Sequence, residues 1–139
     1  MIVGIGIDSI EIDRFAHWHT YAPTTLQRIF SPAEIDYCLS TPNKSAERFA
    51  ARFATREAFF KALCMINPDM PIPFLTICKN LQIQGSNKSP QQLIVHWEKL
   101  GKNNFTKDVI SRLAVHLSIT HNKSTATSLV IIENVSTKI

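Results

Sequence analysis

The chain has 139 residues, 45% hydrophobic and 19% charged, proportions that fit one globular domain with a modest core and exclude a disordered or low-complexity protein. Lysine and arginine outnumber the acids 15 to 11, and the net charge of +4 favours an acidic partner such as a nucleotide, a nucleic acid or an acidic protein. Cys38, Cys64 and Cys78 lack the spacing of a zinc site or a disulfide framework, and no apolar run approaches the roughly 20 residues of a membrane span. A soluble, cytoplasmic protein with reduced thiols is the expectation.

Residues 2 to 7 mix Ile and Val with glycine and lack helical spacing, which predicts a strand with Val3, Ile5 and Ile7 on one face and Gly4, Gly6 and Asp8 on the other. Residues 9 to 18 suit a loop or short helix. Ser31-Pro32-Ala33-Glu34 carries an N-cap, a proline at the first helical position and a glutamate at the third, so a helix starts there and ends near Leu39. The run 46 to 65 holds strong helix formers and no Gly or Pro, which predicts one long helix. Three prolines within Asn67–Pro73 make a loop. Residues 74–84 and 91–98 read as strands around a turn at Gly85–Lys88, and a short helix fits near 104–111. Alternation in 113–120 and a second apolar run over 126–133 predict a hairpin turning at His121–Ser124. The sum is a single domain over 1–139 of the α+β class, with a mostly antiparallel sheet packed against one long helix and shorter helices.

On a helical wheel Phe49, Phe53, Phe60 and Cys64 fall within roughly 60° and form a stripe expected to face the core, with Arg56 just outside it. Glu57 and Lys61 lie four residues apart, so their head groups converge, and Arg52 with Arg56 makes a second such pair. Spacing alone allows Glu57 and Lys61 to be an exposed helical ion pair, and allows Asp8 to be a strand-ending aspartate. Gly4 and Gly6 weigh against the second reading, because bare backbone lets a helix or ligand approach the face that Asp8 shares. An aspartate and a glutamate from separate elements, beside lysine and arginine, suit Mg²⁺ bridged to substrate phosphates. Arg56, at the border of the aromatic arc, needs either an anion or a buried partner. His116 and Ser118 share a strand face, with His121 and Lys123 in the turn beyond; such a group is either structural or a phosphate ligand.

Taken together, the segments GIGIDSIEIDRF (4–15), RIFSPAEIDYC (28–38), RFAARFATREAFFKAL (48–63) and VHLSITHNKSTATSLVIIE (115–133) resemble the holo-(acyl-carrier-protein) synthases, the short bacterial type of 4'-phosphopantetheinyl transferase. The resemblance implies that Asp8 and Glu57 bind Mg²⁺ and, with Lys61, form the catalytic group. It implies that Arg52, Arg56, Lys61, His116, Ser118, His121 and Lys123 lie at or near coenzyme A. A serine of apo-acyl carrier protein would attack the β-phosphate, giving holo-carrier for fatty acid biosynthesis and adenosine 3',5'-bisphosphate, with Glu57 or a metal-bound water as base. The family is generally a homotrimer with active sites between subunits, and the acidic carrier docks on the basic segment matched by Arg14 and Arg28. Position 56 departs from the family's usual lysine.

A nucleic-acid-binding protein using Arg48, Arg52 and Arg56 as one helix face would explain the charge but not the two acids. A Mg²⁺-dependent phosphatase or nuclease would use the same acids with water as nucleophile. The resemblance favours neither, and it implies no nucleic-acid or membrane partner.

Overall fold

The computed structural model describes residues 1–69, 71–86, 89–101 and 104–135. In chain order these form β1 (Ile2–Glu11), short 3₁₀ turns at Ile12–Phe15 and Trp18–Thr20, α1 (Pro23–Leu26), α2 (Pro32–Leu39), α3 (Ser45–Ile66), α4 (Phe74–Lys79), β2 (Leu81–Ser86), β3 (Ser89–Val95), α5 (Lys107–Ile110), β4 (Leu113–His121) and β5 (Thr125–Asn134). An antiparallel sheet of order β1-β5-β4 and a separate β2-β3 hairpin make the α+β class expected from the sequence.

The position of α3 on the sheet follows from small residues on both sides. Ala50, Ala54, Ala58 and Ala62 recur every four residues and are fully buried, so they form one smooth stripe along the helix. Gly4 and Gly6 meet that stripe so closely that a Cβ on either would collide with the backbone carbonyl of Ala62 or Ala58. The glycine face of β1 is therefore the packed one. Ile5 and Ile7, at 45% and 57% exposure, face away from the helix.

Aromatic side chains fill the remainder. Phe59, Leu63, Trp97, Val130 and Ile132 anchor one core cluster, and Phe15, Leu26, Phe30, Phe49 and Ala126 anchor the other. Each fully buried large side chain contributes about 1.5–3 kcal/mol through removal of its surface from water. The predicted aromatic stripe is only partly the core face: Phe49 is buried, Phe53 and Phe60 are half-buried, and Cys64 is exposed. Phe53 and Phe60 are instead covered from outside by Phe74 of α4, with ring centroids 5.8 Å away in both cases.

Other boundaries sharpen the sequence reading. The first strand runs on to Glu11 before its 3₁₀ turn. The capping box of α2 is present, with Ser31 accepting from the Glu34 N–H and Glu34 from the Ser31 N–H. Residues 74–79 are helical where a strand was expected, because Pro73 opens the segment at its N-cap and Phe74, Ile77 and Cys78 turn inward at the i, i+3, i+4 spacing of a helix while Leu75 stays exposed. Of the turn expected at Gly85–Lys88, residues 87 and 88 lie outside the described residues. The final hairpin turns at Asn122, whose side-chain oxygen accepts from the Ser124 and Thr125 N–H groups. Cys38 and Cys78 are free and buried, their thiols pushed up to about 12 first by burial, which leaves them unreactive.

Candidate functional site

Asp8 lies on the glycine face of β1, two residues beyond Gly6, opposite Ser128 of β5. The absence of side chains at Gly4 and Gly6 draws the strand against α3, so the Asp8 carboxylate reaches the helix. Its Oδ1 is 3.1 Å from Lys61 Nζ, and the same ammonium donates to the Ile7 carbonyl at 2.9 Å. Glu57, one turn earlier on α3, lies close enough to Asp8 for the two carboxyls to act on one another. Burial pushes the Glu57 carboxyl up, the Asp8 charge adds to this, and Lys61 and Arg14 pull only partly against them, so Glu57 holds its proton above the ordinary carboxylate range. A cavity of about 280 Å³ opens beside this group, lined by Glu57, Lys61 and the rings of Phe60 and Phe74.

Two carboxylates from different elements, with one of them reluctant to ionise, form a site short of positive charge. Among the described residues no group of three His, Cys, Asp or Glu comes together. The acid pair offers only oxygen donors and leaves room for waters and phosphate oxygens, a set that fits a hard divalent cation such as Mg²⁺ and not zinc.

A second group of predicted residues lies elsewhere. Arg52 is nine residues before Lys61, about half a turn round α3 from it, and it lines a cavity of about 350 Å³ with Tyr37, Lys44, Arg48, Gln91 and His121, among others. His121 Nε2 is 3.0 Å from Glu47 Oε1 at its rim. Lys123 is exposed in the adjoining hairpin turn. His116 and Ser118 project from the other side of the sheet; His116 Nε2 is 2.9 Å from Glu133 Oε2 there.

Arg56 corrects the expectation that it meets coenzyme A. It is fully buried, and all five N–H groups are used. Its terminal nitrogens donate to Glu34 at 2.7 and 3.0 Å, and to the Leu81 and Arg52 carbonyls. Its Nε donates to the carbonyls of Ile29 and Cys78. No donor is left for an external phosphate, so of the two alternatives open in the sequence the buried partner holds. The burial of Arg56 also breaks the continuous three-arginine face that a nucleic-acid reading requires. Glu34 was legible only as a capping residue; its second role needs the fold. Tyr37, Lys44 and Arg48 were missed at the cavity, although the four-residue step from Arg48 to Arg52 was a signal for one of them.

An antiparallel three-stranded sheet clasped to one long helix, with an acidic pair at the strand–helix contact, defines a small α+β transferase architecture once it is set beside known proteins. The sequence profile of the 4'-phosphopantetheinyl transferase superfamily matches residues 4–116. Over 133 residues the chain is 32% identical to the holo-[acyl-carrier-protein] synthase of Treponema denticola, covering 96% of this chain and 99% of that one. A shorter match, to the holo-[acyl-carrier-protein] synthase of Geotalea daltonii, is 48% identical over 64 residues, 45% of this chain and 50% of that protein. Among solved structures, a holo-(acyl-carrier-protein) synthase from Bacillus anthracis in complex with CoA (3',5'-ADP) aligns with a TM-score of 0.70 at 27% identity, covering 96% of this chain and 98% of that one. The chain belongs to the 4'-phosphopantetheinyl transferase superfamily and, within it, to the holo-[acyl-carrier-protein] synthases.

Proposed function

We propose that this chain transfers the 4'-phosphopantetheine group of coenzyme A to a serine of apo-acyl carrier protein, in a Mg²⁺-dependent reaction that releases adenosine 3',5'-bisphosphate. The observation that carries the reading is the Asp8–Glu57 pair held against Lys61 at the β1–α3 contact. Family membership and the CoA complex of the Bacillus anthracis relative support the choice of donor.

In this reaction the serine oxygen forms a bond to the β-phosphorus while the bond from that phosphorus to its bridging oxygen breaks. Asp8 and Glu57 would hold Mg²⁺, which when bound supplies positive charge to the pyrophosphate oxygens. Lys61, half exposed on its side chain, exchanges its contact with Asp8 for a phosphate oxygen and steadies the leaving group. Glu57, or a water on the metal, would receive the serine proton. Phe60 and Phe74 give the adjoining cavity apolar walls that suit the pantetheine arm.

The donor's remaining phosphate charge falls to Arg52, His121 and Lys123. They lie about half a turn of α3 away from Lys61, so one copy does not bring both groups to one molecule of coenzyme A. A homotrimer with active sites between subunits resolves this, the acids of one copy facing the basic cavity of its neighbour. The outer sheet face supports such assembly: Ile2, Ile5 and Ile7 are each about half exposed, and Ile5 and Ile7 pair with Ile131 and Leu129 of β5, an apolar surface of the kind that partners cover. His116 and Ser118 belong to that face and reach coenzyme A only through a partner. Arg14, close enough to Glu57 to act on its charge, would guide the acidic carrier to the acids, with association weakening as salt rises. We place the activity in the cytoplasm; among the described residues no helix is long and apolar enough to cross a membrane.

The test is to incubate several apo-carrier proteins with coenzyme A, Mg²⁺ and this protein and to measure carrier mass. A gain of one phosphopantetheine is expected; unchanged mass with every carrier rejects the reading.

A further inference from the structure

The interior cluster behind the basic cavity holds two guanidiniums, Arg52 and Arg56, against one carboxylate, Glu34. Glu34 spends its hydrogen bonds on Arg56 and on the Ser31 N–H, where Oε1 accepts at 2.7 and 3.1 Å and Oε2 at 3.0 Å. Arg52 Nε stands 3.8 Å from Glu34 Oε2, too far for a hydrogen bond. Arg52 is 3% exposed, and its Nε has no hydrogen-bond partner among the described residues. Among the described residues the only hydrogen bond of its side chain is a long one, 3.5 Å to the Arg48 carbonyl.

What holds Arg52 in place is therefore charge and stacking. The carboxylate of Glu34 attracts it from one side, and its guanidinium carbon sits 4.5 Å from the centroid of the Tyr37 ring. Tyr37 lies one turn after Glu34 on α2 and also carries the Arg48 guanidinium, 4.0 Å from the same centroid. A buried cation with unspent N–H groups is costly unless an anion meets it. Arg52 lines the 350 Å³ cavity together with Tyr37 and Arg48.

We propose that Glu34 and Tyr37 are positioning residues for donor binding: they fix the Arg52 guanidinium at the cavity wall with its donors uncommitted, ready for a phosphate of the donor. Arg56 serves the same end by occupying both oxygens of Glu34, which prevents the carboxylate from closing on Arg52 and neutralising it. The inference rests on coenzyme A being the donor. It differs from that reading in assigning part of donor affinity to α2, which carries no predicted ligand.

Tyr37→Leu removes the ring from a half-buried site while leaving the ion cluster intact, and Tyr37→Phe keeps the ring. Calorimetric titration with coenzyme A and steady-state kinetics of carrier modification separate the outcomes. Tyr37→Leu is expected to weaken coenzyme A binding and raise its KM by about tenfold, with kcat at saturating coenzyme A changed by less than about twofold, and Tyr37→Phe to restore both. Equal coenzyme A affinity in wild type and Tyr37→Leu overturns the positioning role, as does a fall in kcat and thermal stability without a change in KM. If wild type binds no coenzyme A, the donor reading fails first and takes this inference with it. Glu34→Gln provides the second arm: a folded variant with wild-type coenzyme A affinity also contradicts the proposal.

Discussion

The α3 helix carries two sets of charges that solve the same problem in opposite ways. In the interior, Arg56 meets Glu34 through two hydrogen bonds and spends its other donors on four carbonyls. Burial pushes the Glu34 carboxyl up, but the charge and hydrogen bonds of Arg56, the Ser31 N–H and Arg52 outweigh it and hold the carboxyl below its ordinary range. At the β1 contact, beginning with the very next residue, Glu57 and Asp8 share a single nearby lysine and Glu57 is pushed the other way. A charge set completed within the chain serves the fold, while a set left incomplete at an open cavity is available to a ligand. Neighbouring positions 56 and 57 fall on opposite sides of that division because successive helical residues point about 100° apart.

The contrast breaks most severely from the interior. Arg56→Ala strands the Glu34 carboxylate in the core and is expected to cost about 3–5 kcal/mol in urea unfolding, whereas Arg56→Lys keeps the charge and loses only the bidentate geometry. Gly6→Ala, which drives a methyl into the Ala58 carbonyl, is expected to lower stability by about 2–4 kcal/mol on the same measurement. Stability close to wild type in Arg56→Ala would mean that the interior pair does not hold the fold.

At the open site the effects fall on activity instead. Asp8→Ala and Glu57→Ala are each expected to reduce carrier modification by about 100-fold or more, with little loss of thermal stability. Mg²⁺ at millimolar concentration is expected to raise the melting temperature of wild type and to leave Glu57→Gln unmoved, since a ligand stabilises only the state that binds it. An equal shift in both proteins places the ion elsewhere.

The smallest effect is on pH dependence, and the two acids differ in sign. Glu34, held low, contributes stability that is fully present above the ordinary glutamate value of about 4.3 and disappears as pH falls through its lowered value. Glu57, held high, contributes stability that is present below about 4.3 and disappears as pH rises through its raised value. Without Mg²⁺, Glu57→Gln should therefore flatten the decline in stability above that range, while the loss on acidification remains. A decline that persists unchanged in Glu57→Gln contradicts the assignment.

Much of this was legible in the chain. The capping box at Ser31, the long run from 46 to 65 and the alternation in 113–120 are local signals, and local signals survive into the fold as α2, α3 and β4. Asp8 after Gly4 and Gly6 pointed to a close approach, which the Ala58 and Ala62 backbone makes. What the sequence left hidden was direction. Period-two alternation separates the faces of β1 without saying which is buried, and the isoleucines are on the exposed one. The wheel of α3 drew attention to phenylalanine when alanine determines the approach to the sheet. Arg56 was undecided because its partner Glu34 lies 22 residues away and already had a local explanation as a cap.

The most direct measurement compares the two neighbours in one assay. Apo-carrier is incubated with coenzyme A and Mg²⁺ in the presence of wild type, Glu57→Gln or Arg56→Lys, each checked for folding by circular dichroism, and carrier mass is followed over time. The account predicts one added phosphopantetheine with wild type and with folded Arg56→Lys, and none with folded Glu57→Gln on the same timescale. Mass gain at the wild-type rate by Glu57→Gln would contradict it.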